Sequence, residues 1–113
     1  MTANARRLAD FKKITIVAEA VLLEPIKREV IAAGASGLTV ASVFGQGTRG
    51  LGATTLDGEN VRIETIVEPG AAEALMARLA EKFFENYAVI AWMNDVKVMR
   101  SEKFAPSLKP KTR

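Results

Sequence analysis

The stretch SVFGQGTRGLG, Ser42 to Gly52, gathers the residues of this chain best suited to hold a ligand. Gly45, Gly47 and Gly50 are spaced as GxGxxG. A dinucleotide site needs that pattern between a strand and a helix, because the helix N-terminus holds the pyrophosphate. Here GLGATTLDGEN follows with no helical period, and the pattern comes after the second predicted strand instead of the first. A dinucleotide site is therefore excluded, and so is a Walker loop, since no GK[ST] is present. Glycines still allow backbone N–H groups to converge on an anion at close range. Thr48 adds a hydroxyl and Arg49 a planar fork for phosphate oxygens. The same composition also fits a flexible hairpin tip, and at this level both readings stand.

The rest of the chemical inventory is thin. There is no histidine and no cysteine. Disulfides, thiolate nucleophiles, zinc–thiolate sites and Ser-His-Asp triads are all excluded. Glu19, Glu64 and Asp57 remain as acid–base candidates, but they are spaced as solvated strand and loop charges. The inventory points to a binding protein, not an enzyme.

The net charge of +3 is not spread evenly. Arg6, Arg7, Lys12 and Lys13 at one end, and Lys103, Lys109, Lys111 and Arg113 at the other, leave the body between them acidic. A nucleic-acid binder should carry a basic folded face, and this body has none. The first residues lack the apolar run of a secretory signal, and no apolar run approaches membrane-spanning length. The expected location is the cytoplasm, with no membrane insertion and no nucleic-acid partner.

Positioning the glycine-rich stretch falls to a short series of elements within one domain. KKITIVAEA (Lys12–Ala20) alternates as a strand. In LEPIKREVIAAGASG, Pro25 suits a first helical turn, Ile26, Val30 and Ala33 recur at helical spacing, and Gly34 is a natural C-cap. LTVASVFG is a second strand, and residues 45–58 form a long loop. ENVRIETIVE is a third strand, with Val61, Ile63, Thr65 and Val67 alternating against Arg62 and Glu64. Pro69-Gly70 opens a helix with Ala72, Leu75, Met76, Leu79 and Phe83 on one stripe, read as core. YAVIAWM (Tyr87–Met93) is a fourth strand and VKVM (Val96–Met99) a short fifth. Residues 1–11 and 105–113 read as flexible ends.

The order β-α-β-β-α-β predicts an α+β ferredoxin-like fold, an antiparallel sheet with both helices on one face. If Ile14 and Ile16 face the helices, then Thr15, Val17 and Glu19 face away, joined by Ile66 and by either Ile90 or Trp92. An uncovered face this apolar predicts burial against other subunits, hence a homo-oligomer. RNA-recognition domains share the topology but stack bases on aromatics of the third strand, and ENVRIETIVE has none. An amino-acid-binding regulatory domain fits the same pattern.

The residues also resemble a known family, the PII signalling proteins, and within it the PII-like branch associated with bicarbonate transporters and carboxysomes. The resemblance covers Lys12 to Phe104. It rests on KKITIVAEAVLLEPIKREVIAAGASGLTVASVFGQGTRG, with Gly37-Leu-Thr39-Val and then Gly45-x-Gly47, and on KFFENYAVIAWM. It implies a trimer that binds adenine nucleotides between subunits and contacts a target through the long loop after the second strand, the T-loop. Carried onto this chain, Gly37 and Thr39 lie near adenine and ribose. Gly45, Gln46, Gly47, Thr48 and Arg49 hold the phosphates. Asn86, Tyr87 and Ala88 form the B-loop of the neighbouring subunit, and Arg100 adds a charge.

Departures refine what is implied. Thr48-Arg49 stands where nitrogen sensors resemble Arg-Gln, and the single tyrosine, Tyr87, lies outside the T-loop, so neither 2-oxoglutarate sensing nor nucleotidylation is expected. The B-loop Gly-Lys pair that nitrogen sensors offer to ATP is absent from ENYAVIAW. The implied ligand is therefore ADP first, with AMP or ATP as alternatives, and bicarbonate as effector. The implied partner is a bicarbonate transporter or carboxysome-related protein reached through residues 45–58, with phosphate contact shifting that loop from disorder to order. The rival reading is a structural or metal-tolerance trimer of the same fold without nucleotide. Arg49→Ala is expected to weaken nucleotide binding with the fold intact. Titration calorimetry beside circular dichroism checks it, and unchanged affinity in a folded variant would remove the assigned phosphate site.

Overall fold

The computed structural model describes residues 7–44 and 59–105. Its elements are β1 (Ala9–Glu19), α1 (Leu23–Ala32), β2 (Thr39–Val43), β3 (Asn60–Val67), α2 (Pro69–Leu79) and β4 (Ile90–Val98). A single 3-10 turn, Ala20–Leu22, leads into α1, and another, Ser101–Lys103, follows β4. The four strands form one sheet in the order β2-β3-β1-β4, and every pairing is antiparallel. This is the ferredoxin-like arrangement. The predicted glycine-rich loop at 45–58 lies outside the described residues. Among those residues no helix is long and apolar enough to cross a membrane.

Alternation along the two central strands sets the layers. Ile14, Ile16 and Ala18 of β1 and Val61, Ile63 and Val67 of β3 share a core with the helices. The helices supply Ile26 and Val30 from α1, and Ala72, Leu75 and Leu79 from α2, all fully buried. Each large aliphatic side chain contributes about 1.5–3 kcal/mol when buried, so this layer is the main source of stability. The predicted stripe on α2 is core as read, with Met76 partly buried at its margin.

The end of α1 shows why Gly34 is needed there. Its φ is +103°, a backbone region costly for residues with a Cβ. That conformation lets the Gly34 N–H donate to the Ile31 carbonyl at 3.0 Å and the Ala35 N–H to the Val30 carbonyl at 3.3 Å. These two bonds close a Schellman motif and turn the chain toward β2.

Three boundaries differ from the sequence reading. β1 begins at Ala9, so Ala9 to Phe11 belong to the sheet and not to a flexible end. They pair with Val96 to Val98, and Phe11 is buried with Val98 and Ala105, which places Ala105 in the folded body too. Among the described residues there is no separate fifth strand, because β4 runs unbroken from Ile90 to Val98. The polar Asn94-Asp95 step does not interrupt it: Asp95 sits directly opposite Lys12 and accepts a hydrogen bond from its ammonium. That contact holds the Asp95 carboxyl below its usual value and the Lys12 ammonium above its own. Lys97 donates to Asp10 in the same way nearby.

The third difference is at Tyr87 to Val89, which are not strand. α2 continues into a π-helical turn, Ala80–Phe84, and the Tyr87 N–H donates to the Phe83 carbonyl at 3.0 Å. β4 starts only at Ile90.

The outward face of the sheet is apolar as predicted but not wholly uncovered, since Thr15 is buried on it. Register puts Val17 opposite Ile90 and Thr15 opposite Trp92, so both Ile90 and Trp92 lie on that face. Both are exposed. Gly34→Ala is expected to destabilise the fold by about 1–2 kcal/mol through its positive φ, read as a lower urea midpoint. An unchanged midpoint would mean the cap tolerates a Cβ.

Candidate functional site

The Schellman turn delivers Ser36, Gly37 and Leu38 to the start of β2. The β2–β3 ladder ends at Thr39 opposite Glu64. One step further, the buried Thr65 hydroxyl donates to the Gly37 carbonyl at 2.7 Å, a side chain continuing what the backbone ladder begins. Past β4, the 3-10 turn folds back. Phe104 packs edge-on against Phe11, with ring centroids 6.1 Å apart, and the Ser36 hydroxyl donates to the Lys103 carbonyl at 2.5 Å. Between the α1–β2 connection, the outward face of β1 and β3, and this returning segment lies a cleft of about 430 Å³. Small-molecule sites are of this size.

The cleft has two kinds of wall. Leu38, Ile66 and Phe104 are apolar, while Lys13, Lys103 and Thr39 are cationic or hydroxylic. Glu64 also lines it, but its carboxylate is shared by the Arg62 guanidinium at 3.5 Å and the Lys13 ammonium at 3.8 Å. The arrangement suits a ligand with a flat apolar part and an anionic part.

The predicted site residues divide sharply. Gly37 and Thr39 line the cleft together. Asn86, Tyr87 and Ala88 are exposed in the turn before β4, at the opposite edge of the sheet. Strands β3 and β1 lie between β2 and β4, a separation of about 14 Å at usual strand spacing. Within one protomer Asn86, Tyr87 and Ala88 do not line the cleft that holds Gly37 and Thr39. Arg100 is exposed immediately after β4 in the left-handed region, with φ 58° and ψ 54°, and it is not part of the cleft wall. Gly45, Gln46, Gly47, Thr48 and Arg49 lie outside the described residues.

Sequence reasoning found Gly37 and Thr39 and missed the other residues of the cleft wall, Leu38 and Glu64 as well as Lys13, Ser36, Thr65, Ile66, Lys103 and Phe104. Strand alternation puts Lys13, Glu64 and Ile66 on the outward face, so part of the wall was available. Nothing local announces that the chain after β4 returns over that face. The apolar pair Phe104-Ala105 beyond a charged turn was the one usable signal.

One family model and three solved structures resemble this chain. Residues 11–103 match the family model described as nitrogen regulatory protein P-II. A crystal structure of a PII-like signaling protein from Thermus thermophilus is 41% identical, with a TM-score of 0.75, covering 86% of this chain and 97% of that one. CPII from Thiomonas intermedia K12, bound to ADP, AMP and acetate, is 23% identical with a TM-score of 0.77, covering 88% and 98%. The same protein bound to ADP and bicarbonate is 24% identical with a TM-score of 0.76, covering 87% and 97%.

Thr65→Val keeps the shape but removes the hydroxyl that fastens Gly37 to β3. It is expected to cost about 1 kcal/mol, measured by urea denaturation with the sheet signal unchanged. No loss would mean the wall is held by packing alone.

Proposed function

The chain belongs to the P-II family, on its PII-like branch, and on that premise we propose that it is a non-enzymatic signalling protein. It binds an adenine nucleotide, ADP before AMP or ATP, together with bicarbonate. It works as a homotrimer and regulates inorganic-carbon uptake or carboxysome function through residues 45–58. It acts in the cytoplasm and meets the membrane only through a transporter partner.

The observation that carries this reading is the split site. Gly37 and Thr39 stand in the cleft at the β2 edge, while Asn86 to Ala88 stand beyond β1 and β3 at the other edge. A second copy that brings its β4 edge to the cleft completes the site. The exposed apolar residues Ile90 and Trp92, on the face away from the helices, favour such an approach. The cleft supplies apolar wall for a base, and Lys13 and Lys103 supply charge for phosphates. Gly45 to Arg49 complete the phosphate cradle, and occupancy there shifts the population of partner-competent loops. The Thiomonas protein, bound to ADP, AMP and bicarbonate, supports the ligand choice.

The test is thermal unfolding with ATP, ADP and AMP, each with and without bicarbonate. A ligand at about a hundred times its dissociation constant stabilises by about 2.7 kcal/mol per site, a rise of several degrees for a domain near this size. A nucleotide shift that bicarbonate alters is the expected result. A shift indifferent to bicarbonate would leave an energy sensor, and no shift with any nucleotide would favour the rival structural trimer.

A further inference from the structure

β1 outruns β3. Val67, the last residue of β3, stands opposite Lys12, so Ala9, Asp10 and Phe11 pair only with Val98, Lys97 and Val96 of β4. These six residues make a two-stranded ribbon that projects past the rest of the sheet. Its two faces are unlike. On the face away from the helices, Phe11 and Val98 are buried with Ala105. On the other face, alternation places Asp10 and Lys97 and, one step beyond the ladder, Leu8 and Met99. That face is open: Leu8 is 61% exposed and Met99 52%.

The charges there sort into two groups. Asp10 is held by Lys97 and Asp95 by Lys12, so those four offset one another. Arg7 and Arg100 adjoin Leu8 and Met99 in the chain and are exposed, and neither forms an ion pair among the described residues. The sequence adds charge of the same sign at this end. Residues 1–9 and 106–113 contain Arg6, Arg7, Lys109, Lys111 and Arg113 and no acidic side chain. The first run leads into β1, and the second follows Ala105, which is seated on the ribbon. An apolar pair beside unpaired guanidiniums complements an acidic segment that carries an apolar side chain. A planar layer of anionic lipid headgroups fits less well, because it would also meet the Asp10 and Asp95 side chains, 80% and 86% exposed on the same face. A single peptide strand can place its carboxylates clear of them.

We infer that the open face of this ribbon is a protein-docking surface, which takes an acidic, leucine-bearing segment of a partner on Leu8 and Met99 with Arg7 and Arg100 as charge contacts. It is distinct from residues 45–58. Those connect β2 to β3 at Val43 and Asn60, beside Glu19, at the far end of β1 and about 30 Å away at the usual strand rise. None of the four docking residues lines the cleft, so the surface stands or falls apart from the nucleotide reading.

The experiment titrates a short synthetic peptide, glutamates flanking two central leucines, into the isotope-labelled full chain without nucleotide, and follows the amide signals by NMR. The same titration is run on Arg7→Glu, on Leu8→Ser and on Arg28→Glu, the last an equal charge change at an exposed position of α1. The amides of Leu8, Asp10, Lys97 and Met99 are expected to shift. Binding is expected to weaken about ten-fold as salt rises to about 1 M, where the screening length falls to about 3 Å. Arg7→Glu is expected to raise the dissociation constant about five-fold by reversing one contact charge. Leu8→Ser is expected to raise it about five-fold by removing apolar area from the contact. Arg28→Glu is expected to change it less than about two-fold, since its charge is remote from the contact and screened. No shifts at the ribbon would overturn the inference, and so would an equal loss of affinity in Arg28→Glu, which would mean attraction by net charge alone. Vesicles of phosphatidylcholine and phosphatidylserine are titrated in parallel. Tighter binding to them than to the peptide would overturn the protein-docking assignment in favour of a lipid surface.

Discussion

The double pairing of β1 is the constraint on which the rest depends. It is hydrogen-bonded to β3 along one edge and to β4 along the other, so one alternating sequence fixes two registers at once. A slip of one residue would carry Ile14 and Ile16 from the helix layer to the outward face and bring Lys13 and Thr15 into the core. The burial of those isoleucines therefore sets more than stability. It decides that Lys13 faces the cleft, that Phe11 meets the returning Phe104, and that Trp92 and Ile90 share a face with Val17.

Much of this was legible before any coordinates. Period-two alternation in KKITIVAEA and ENVRIETIVE marked the layers, because each strand has one buried face. Helical spacing of Ile26 and Val30, and of Leu75 and Leu79, marked the helices. Gly34 announced its cap. What was not legible depended on distant partners. Ala9 to Phe11 look like a polar terminus until Val96 to Val98 lie beside them, and Asn94-Asp95 looks like a break until Lys12 stands opposite. Both differences have one origin: the compensating charge or apolar neighbour lies at the far end of the chain, beyond the reach of local propensity.

The site was less legible than the fold for a related reason. Gly37 and Thr39 were found through resemblance, and their neighbours Leu38, Ser36 and Thr65 follow only once the connection before β2 is seen fastened to β3. Lys103 and Phe104 belong to a segment whose composition suggests an end, yet it is anchored by Phe11. The chemistry of the cleft is accordingly assembled from residues that mean little alone. Lys13 is an ordinary strand lysine, Glu64 an ordinary strand glutamate, and only their shared face gives them a common purpose.

The π-helical turn at Ala80–Phe84 carries a consequence of a different order. A π turn closes its hydrogen bonds over one residue more than the helix it extends. It lies after Leu75 and Leu79, which seat α2, and before the turn that leads into β4. A change of one residue in the length of that turn can be absorbed there as a change of helical pitch, with Leu75 and Leu79 keeping their places in the core. The junction is thus a point where a one-residue change in the length of the loop at 86–88 can be taken up while α2 stays seated.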